Sequence, residues 1–347
     1  MPYATIDSPN KHFDTTTYTA NGGSQTITNS GSMQPDFFWG KVRSTTSNHI
    51  LINSIVGVSK YLYSNTTASE VTDANYFTSF NSNGFSVGSN NYSNGTTMVA
   101  WQWKGGGTGV SNTSGTISST VSANTTSGFS IVSYTGNGTS GATVGHGIGS
   151  TVGMILVKGR SFVDNWAVYH KSIGGTGLLE LNGTGGTNTV STRWNNTNAG
   201  ATVFTLGNNS QVNGSGSTYI AYCFAEVKGF SKFGSYTGNG NADGTFVYTG
   251  FKPAFLIVKR YNDAGYDWLM YDNKRQVEFN VVDDFLKPNL SDAETTGNAN
   301  QSLDFLSNGV KFRGSGASSN GSGASYIYMA FAENPFVSSK GIPTTAR

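Results

Sequence analysis

Pro253-Ala-Phe-Leu-Ile-Val-Lys-Arg260 is a short apolar run that ends abruptly in positive charge. Its brevity, its β-branched residues and the Tyr-Thr-Gly-Phe-Lys before it predict a buried strand rather than a helix. The chain carries the pattern three times. Val152-Gly-Met-Ile-Leu-Val-Lys-Gly-Arg160 repeats it, and so does Pro35-Asp-Phe-Phe-Trp-Gly-Lys-Val-Arg43, so that Lys41, Lys158 and Lys259 correspond.

Other segments fall into register around these strands. Tyr18-Thr-Ala-Asn-Gly22, Tyr134-Thr-Gly-Asn-Gly138 and Tyr236-Thr-Gly-Asn-Gly240 open the copies, 116 and 102 residues apart. Asn-Gly tolerates positive φ and is a strong turn signal, so each copy begins with a strand ending in a tight turn. After the lysine strand comes a second short strand, Trp166 to Tyr169 and Trp268 to Tyr271, with His49 to Ile52 in the same place. Copies one and three share Ser64 to Glu70 and Pro288 to Glu294. A later strand carries Asn83 to Gly88, Phe204 to Gly207 and Asn308 to Phe312. Each copy closes on its most hydrophobic strand: Met98 to Trp103, Tyr219 to Phe224 and Tyr326 to Phe331. Apolar residues on both faces mark a central strand between two layers.

Composition agrees with this pattern. Forty-six glycines and many Thr, Asn and Ser favour strands and turns, and 13% aromatics in a chain only 12% charged argue for packed interiors. The expected class is all-β, as three tandem β-sandwich repeats (jelly-roll or lectin-like) of about 100 residues each. The expected boundaries are an N-terminal arm at 1–17, repeats at 18–104, 129–228 and 229–333, and a C-terminal tail at 334–347. Residues 105–128 are almost wholly small and polar and read as a flexible or extended connector, although 116–122 alternate as an exposed strand would. The junction at 226–234 is short and holds two phenylalanines, which predicts rigid packing of the second repeat on the third.

The totals also exclude function classes. A net charge of +2 without a basic cluster is no nucleic-acid footprint. The single Cys223 allows no intramolecular disulfide and no zinc spacing. The beginning of the chain lacks the charged and apolar regions of a secretory signal, and no run is long enough for a membrane helix. The expectation is a soluble protein made in a cytoplasm, without membrane insertion and without a cofactor.

Few side chains offer chemistry. Cys223 would be a nucleophile if His146 or His170 served as its base, but the other copies place Gln102 and Ala330 there, which favours a small buried residue. His12, His49, His146 and His170 show no metal spacing, and His49 aligns with Trp166 and Trp268 as a packing position. Asp283-Asp284 and Asp292 with Glu294 offer oxygens for calcium but lack a regular ligand alternation, so solvated turn acids are expected. Lys41, Lys158 and Lys259 are ligand-binding candidates if they line one surface for acidic sugars or phosphates. The competing reading is a strand-ending lysine that reaches for water and blocks edge pairing. Trp39, Trp166 and Trp268 fall at core positions, whereas Trp194, in a turn-rich stretch, is expected exposed and suits sugar stacking. No acid pair stands out for glycoside hydrolysis, so neither a catalytic set nor a metal site is expected.

The Tyr-Thr-Gly-Asn-Gly openings, Phe246 to Phe255, Tyr219 to Glu226, Gly229 to Tyr236 and the closing Ala330 to Phe336 together resemble a family of virion-associated proteins of marine tailed bacteriophages and cyanophages. The resemblance spans nearly the whole chain and implies a tail-fibre or structural protein without catalytic residues. The expected function is therefore non-enzymatic: a tail-fibre or receptor-binding protein on the virion exterior that recognises host-surface polysaccharide. It would work beside other virion proteins, and a homotrimer would let several weak sites act together. The alternatives are a capsid decoration or head-fibre protein and, further off, a polysaccharide depolymerase.

Overall fold

The three lysine-ended runs form the strands Phe37–Val42, Val152–Gly159 and Pro253–Arg260. Each is flanked on one side by a closing strand (Thr97–Trp103, Thr218–Ala225, Ser325–Ala332) and on the other by Ile50–Asn53, Ala167–His170 or Leu269–Asp272. Beyond each closing strand lies the opening strand, Phe13–Thr19, Phe129–Thr135 or Ser231–Thr237. All pairings are antiparallel and the order opening, closing, lysine, following strand is the same in the three sheets. A computed structural model of the chain describes residues 6–90, 93–276 and 280–333, with the backbone of 336–337 and 343–344. Within them the protein is all-β, made of several antiparallel sheets, and no helix is long and apolar enough to cross a membrane.

Each large sheet is accompanied by a small one. These are Gln25–Thr28, Gly84–Val87 and Phe77–Asn81 in the first unit, Ala142–Gly145 and Val203–Leu206 in the second, and Phe246–Tyr248, Gly309–Phe312 and Leu303–Leu306 in the third. The period of two in a strand sends alternate residues of the closing strand to opposite faces. Tyr219, Ala221 and Cys223 enter the second unit's own core, while Ile220, Tyr222 and Phe224 enter a core common to all three units. Ala100 and the pair Val99 and Trp101 divide in the same way. Both faces are apolar because both are buried.

At the middle of the common core stand Trp103, Phe224 and Phe331, which occupy one register position opposite Phe37, Met154 and Phe255. Their ring centroids are 6.0, 5.7 and 6.1 Å apart, so each touches the other two. The units therefore do not sit in a row. They close around one aromatic centre, and Phe13 (5.0 Å from Phe331) and Phe233 (6.4 Å from Phe224) extend it across unit boundaries.

The expected turns are present: Gly22, Gly138 and Gly240 have φ of 76, 71 and 66°, a region side chains rarely enter. Several boundaries need correction. Residues 105–128 are not a free connector, because Val110–Asn112 and Ser119–Asn124 add two strands to the second sheet, where Val121 pairs with Val132 and is buried. Alternation in 116–122 was the better signal than composition. The arm at 1–17 is also part of the body as far as it is described. Ile6 is buried and Phe13 begins the opening strand. The junction at 226–234 packs as expected, with Phe230 and Phe233 buried in the common core. The tail at 334–347 lies outside the described residues, apart from two short paired strands, Phe336–Val337 and Pro343–Thr344.

A shared core predicts shared unfolding. Thermal denaturation followed by calorimetry and by tryptophan fluorescence should show one coincident transition. Phe331→Ala should lower the stability of the whole chain by about 3–5 kcal/mol. Separate transitions for one unit and the remaining two would mean that the centre does not couple them.

Candidate functional site

The residues repeated in sequence meet at the seams between units. A lysine at the end of a buried strand must find oxygen acceptors for its ammonium group or remain costly. Lys158 of the second unit donates to the Thr67 carbonyl of the first at 3.0 Å and to the Asp164 carbonyl at 2.6 Å. Lys259 of the third unit donates to the Thr184 carbonyl of the second at 3.2 Å and to the Tyr266 carbonyl. Lys41 of the first unit donates to the Val42 carbonyl at 2.7 Å and feels the charges of Asp292 and Glu294 in the third. Burial lowers all three amines to about 8, partly offset by these acids and, for the other two, by Asp164 and Asp267. All three side chains have 0% exposure, so they neither line an outer surface nor reach water, as the two expectations had it. Lys158 and Lys259 cap a neighbour's backbone, and Lys41 caps its own strand.

The following strands act likewise. Trp166 Nε1 donates to the Tyr63 carbonyl at 2.8 Å and Trp268 Nε1 to the Glu180 carbonyl at 3.0 Å. His49 takes the same place and bonds the Lys287 carbonyl at 3.1 Å through Nε2, with Nδ1 accepting from Trp39 Nε1 at 3.1 Å. A carbonyl only accepts, so His49 is the neutral tautomer with its proton on Nε2. The alignment of His49 with the tryptophans thus reflects a shared hydrogen bond as well as packing.

Arginine and glutamate lock two of the seams. Arg160 holds Glu70 through two bonds of 2.6 and 3.1 Å, and Arg43 holds Glu294 at 2.8 Å. In both, the glutamate N–H also donates to the arginine carbonyl, at 2.9 and 2.8 Å. At the third seam the equivalent backbone bond runs from Thr187 N to the Tyr261 carbonyl at 2.7 Å. There, Thr and Tyr stand where the others have Glu and Arg. Arg275 reinforces the seam between the third and first units, bonding Glu294 and Asp272 at 2.6 Å each. Trp101 Nε1 meets the same Asp272 at 2.9 Å. Burial works against the charge of Arg275, but Asp272 and Glu294 outweigh it and hold the guanidinium above its usual value. Glu294 is accordingly a buried ion-pair partner, neither a solvated turn acid nor a free calcium ligand. Asp283 accepts from Gln276 and Asp284 from Gly297 N. Among the described residues no group of three or more His, Cys, Asp or Glu is placed to hold a metal.

The remaining candidates are also internal. His146 and His170 donate from Nε2 to the Gly200 and Tyr328 carbonyls, at 3.3 and 3.1 Å, and accept at Nδ1 from Ile148 N and Ser172 N. Both imidazoles have spent both nitrogens on backbone, which leaves neither as a base for Cys223. That thiol is buried in the second unit's core, and burial pushes it up far above the usual thiol range. Trp194 is 1% exposed and so is not the open sugar platform expected of it. A short helical turn, Ser191–Trp194, aims its indole inward, 5.9 Å from the Tyr169 ring.

Residues 8–335 match the family described as a domain of unknown function (DUF7483). The chain belongs to that family. No curated protein matches it.

What faces solvent is a set of grooves at the seams. One, of about 530 Å³, lies where Thr187 and Tyr261 replace the Arg–Glu pair, between residues 172–189 of the second unit and 261–264 of the third. Sequence reasoning did not anticipate Glu70, Glu294, Arg43, Arg160 or Arg275 as partners. The matching segments 64–70 and 288–294 were visible, but Glu70 and Arg160 are 90 residues apart and Arg43 and Glu294 are 251 apart.

Two outcomes follow from these seams. Arg275→Met strands two buried carboxylates and should cost about 3–5 kcal/mol, against about 1 kcal/mol for Arg160→Ala at a partly exposed pair. Urea denaturation measures both, and equal costs would contradict the difference in burial. The second concerns pH. Burial lowers His146 and His170 from 6.5 to about 4. The folded state then binds fewer protons than the unfolded chain between those values, so their contribution is complete above pH 6.5 and is lost as pH falls toward 4. Asp14 and Asp36, which burial raises, act in the opposite sense at the acid end. His170→Asn, which installs the residue the first unit has there (Asn53), should flatten part of the slope of melting temperature from pH 7 to 4.5. An unchanged slope would place the acid sensitivity elsewhere.

Proposed function

We propose that the chain consists of three tandem β-sandwich repeats closed into a ring, and that it serves in a phage virion as a non-catalytic tail-fibre or receptor-binding protein that recognises host-surface glycan. The observation that carries this reading is the division of labour within the repeats. The side chains that recur from copy to copy are consumed inside the body: Lys158, Lys259, Trp166, Trp268 and His49 bond the backbone of the next unit, and Lys41 bonds the Val42 carbonyl of its own strand. The solvent-facing residues that follow the shared Asn-Gly turns, by contrast, differ from unit to unit: Gly23 and Ser24, Thr139 to Gly141, and Asn241 to Asp243. A body whose shared residues hold it rigid and whose unlike loops face outward suits binding rather than turnover. The likeness of its motifs to the virion proteins of marine phages supplies the setting, and assembly as a homotrimer would multiply weak sites.

The test is the position of the protein on the particle, by gold-labelled antibody or a cryo-EM map of a phage that encodes it. Label at the tail is expected. Label spread over the head would replace this reading with a capsid decoration protein, and absence from the particle would overturn both.

A further inference from the structure

We propose that the groove between the second and third units is a carbohydrate subsite that takes a neutral, hydroxyl-rich sugar. The proposal deepens the glycan-binding reading above and rests on it for biological purpose, but its argument is the broken equivalence of the seams. Glu70 with Arg160, and Glu294 with Arg43, fill two seams with ion pairs. At the third, the same backbone bond survives while Thr187 and Tyr261 supply no charge, and an open polar groove appears. Thr187 Oγ1 is buried beneath the groove without a hydrogen-bond partner, at the position from which the glutamates of the other seams reach their arginines.

The lining has the chemistry of a sugar site. Tyr261 offers a flat ring for the apolar face of a pyranose, and Asn188, Thr189, Asn262 and Asp263 offer donors and acceptors for hydroxyls. Two of these are fixed before any ligand arrives. Asn262 Oδ1 accepts from Ser325 N at 3.0 Å, which leaves its NH2 group to donate, and Asp263 is held by Arg260 at 3.0 Å and by Ala264 N at 2.9 Å. Preorganised polar groups lose less entropy on binding. Gly186 lets the two walls approach, since a Cβ there would meet the Asp263 backbone at 2.9 Å. Among the lining residues only Asp263 is charged and Arg260 pairs with it, so the groove offers no unpaired cation to recruit acidic sugars or phosphates. The volume of about 530 Å³ falls within the usual range for small-ligand sites, about 300–1,000 Å³.

The experiment is isothermal titration calorimetry of the purified full chain with maltotriose, cellotriose and chitotriose, and with trigalacturonic acid as an acidic counterpart. At least one neutral trisaccharide should bind, and more tightly than the acidic one. The double variant Thr187→Glu/Tyr261→Arg, which installs the ion pair of the other seams, should weaken binding at least about tenfold while keeping the melting temperature. Asn188→Ala, at an exposed position, should weaken it several-fold and does not depend on the double variant's folding. Binding that survives both variants, a preference for the acidic sugar, or no binding of any neutral trisaccharide would overturn the groove as the site. None of these results bears on where the protein sits on the particle, which labelling decides separately.

Discussion

Trp103, Phe224 and Phe331 touch one another at the centre of the molecule, and the rest of the architecture depends on that contact. Each ring comes from the same position of a closing strand, so satisfying one unit's apolar face requires the other two. A single antiparallel sheet backed by a two- or three-stranded partner has one face to cover and one left over. Here, the face left over is covered by two copies of itself. The gain is large because aromatic side chains bury more surface than any others and favour the tilted and edge-on geometries seen here. The consequence is that strand ends, which an isolated sheet would offer to water, come to lie against a neighbour's loops.

That constraint explains the buried charges. A lysine at the mouth of a strand would ordinarily reach solvent, but for Lys158 and Lys259 the neighbouring unit lies across the path and offers a backbone carbonyl instead. Desolvation then lowers each amine to about 8, and hydrogen bonds to two carbonyls compensate Lys158 and Lys259. The same seam accepts a tryptophan N–H in two places and a histidine N–H in the third, because what the neighbouring carbonyl requires is a donor at a given position rather than a particular ring. Equivalent positions conserve a bond, and chemistry varies around it. Where the variation goes furthest, at Thr187 and Tyr261, the seam no longer fills itself and a groove remains.

Much of the fold was legible in the chain. The lysine strands, the closing strands, the Asn-Gly turns with positive φ at Gly22, Gly138 and Gly240, and the burial of Phe230 and Phe233 at the junction all follow from local pattern. Local composition misled at 105–128, where small polar residues hid the alternation that places Val121 in a sheet. It misled again at Trp194, where turn residues suggested exposure although Ser191–Trp194 form a helical turn that buries the indole. The candidate site was the least legible part. Lys41, Lys158 and Lys259 were recognised as equivalent, yet whether three equivalent cations face water or one another's neighbours depends on how the units are disposed.

The sequence by itself determined the all-β class, the buried lysine-ended and closing strands and the correspondence of Lys41, Lys158 and Lys259, because these depend on periodicity and turn chemistry within short stretches. Tertiary structure decided the rest. The shared aromatic centre, the burial of Lys41, Lys158 and Lys259, the pairing of Arg43 with Glu294 across 251 residues and the groove where Thr187 and Tyr261 stand in place of a Glu–Arg pair all arise between distant segments. No local pattern encodes them, since a strand with two apolar faces states that both must be covered but not by what.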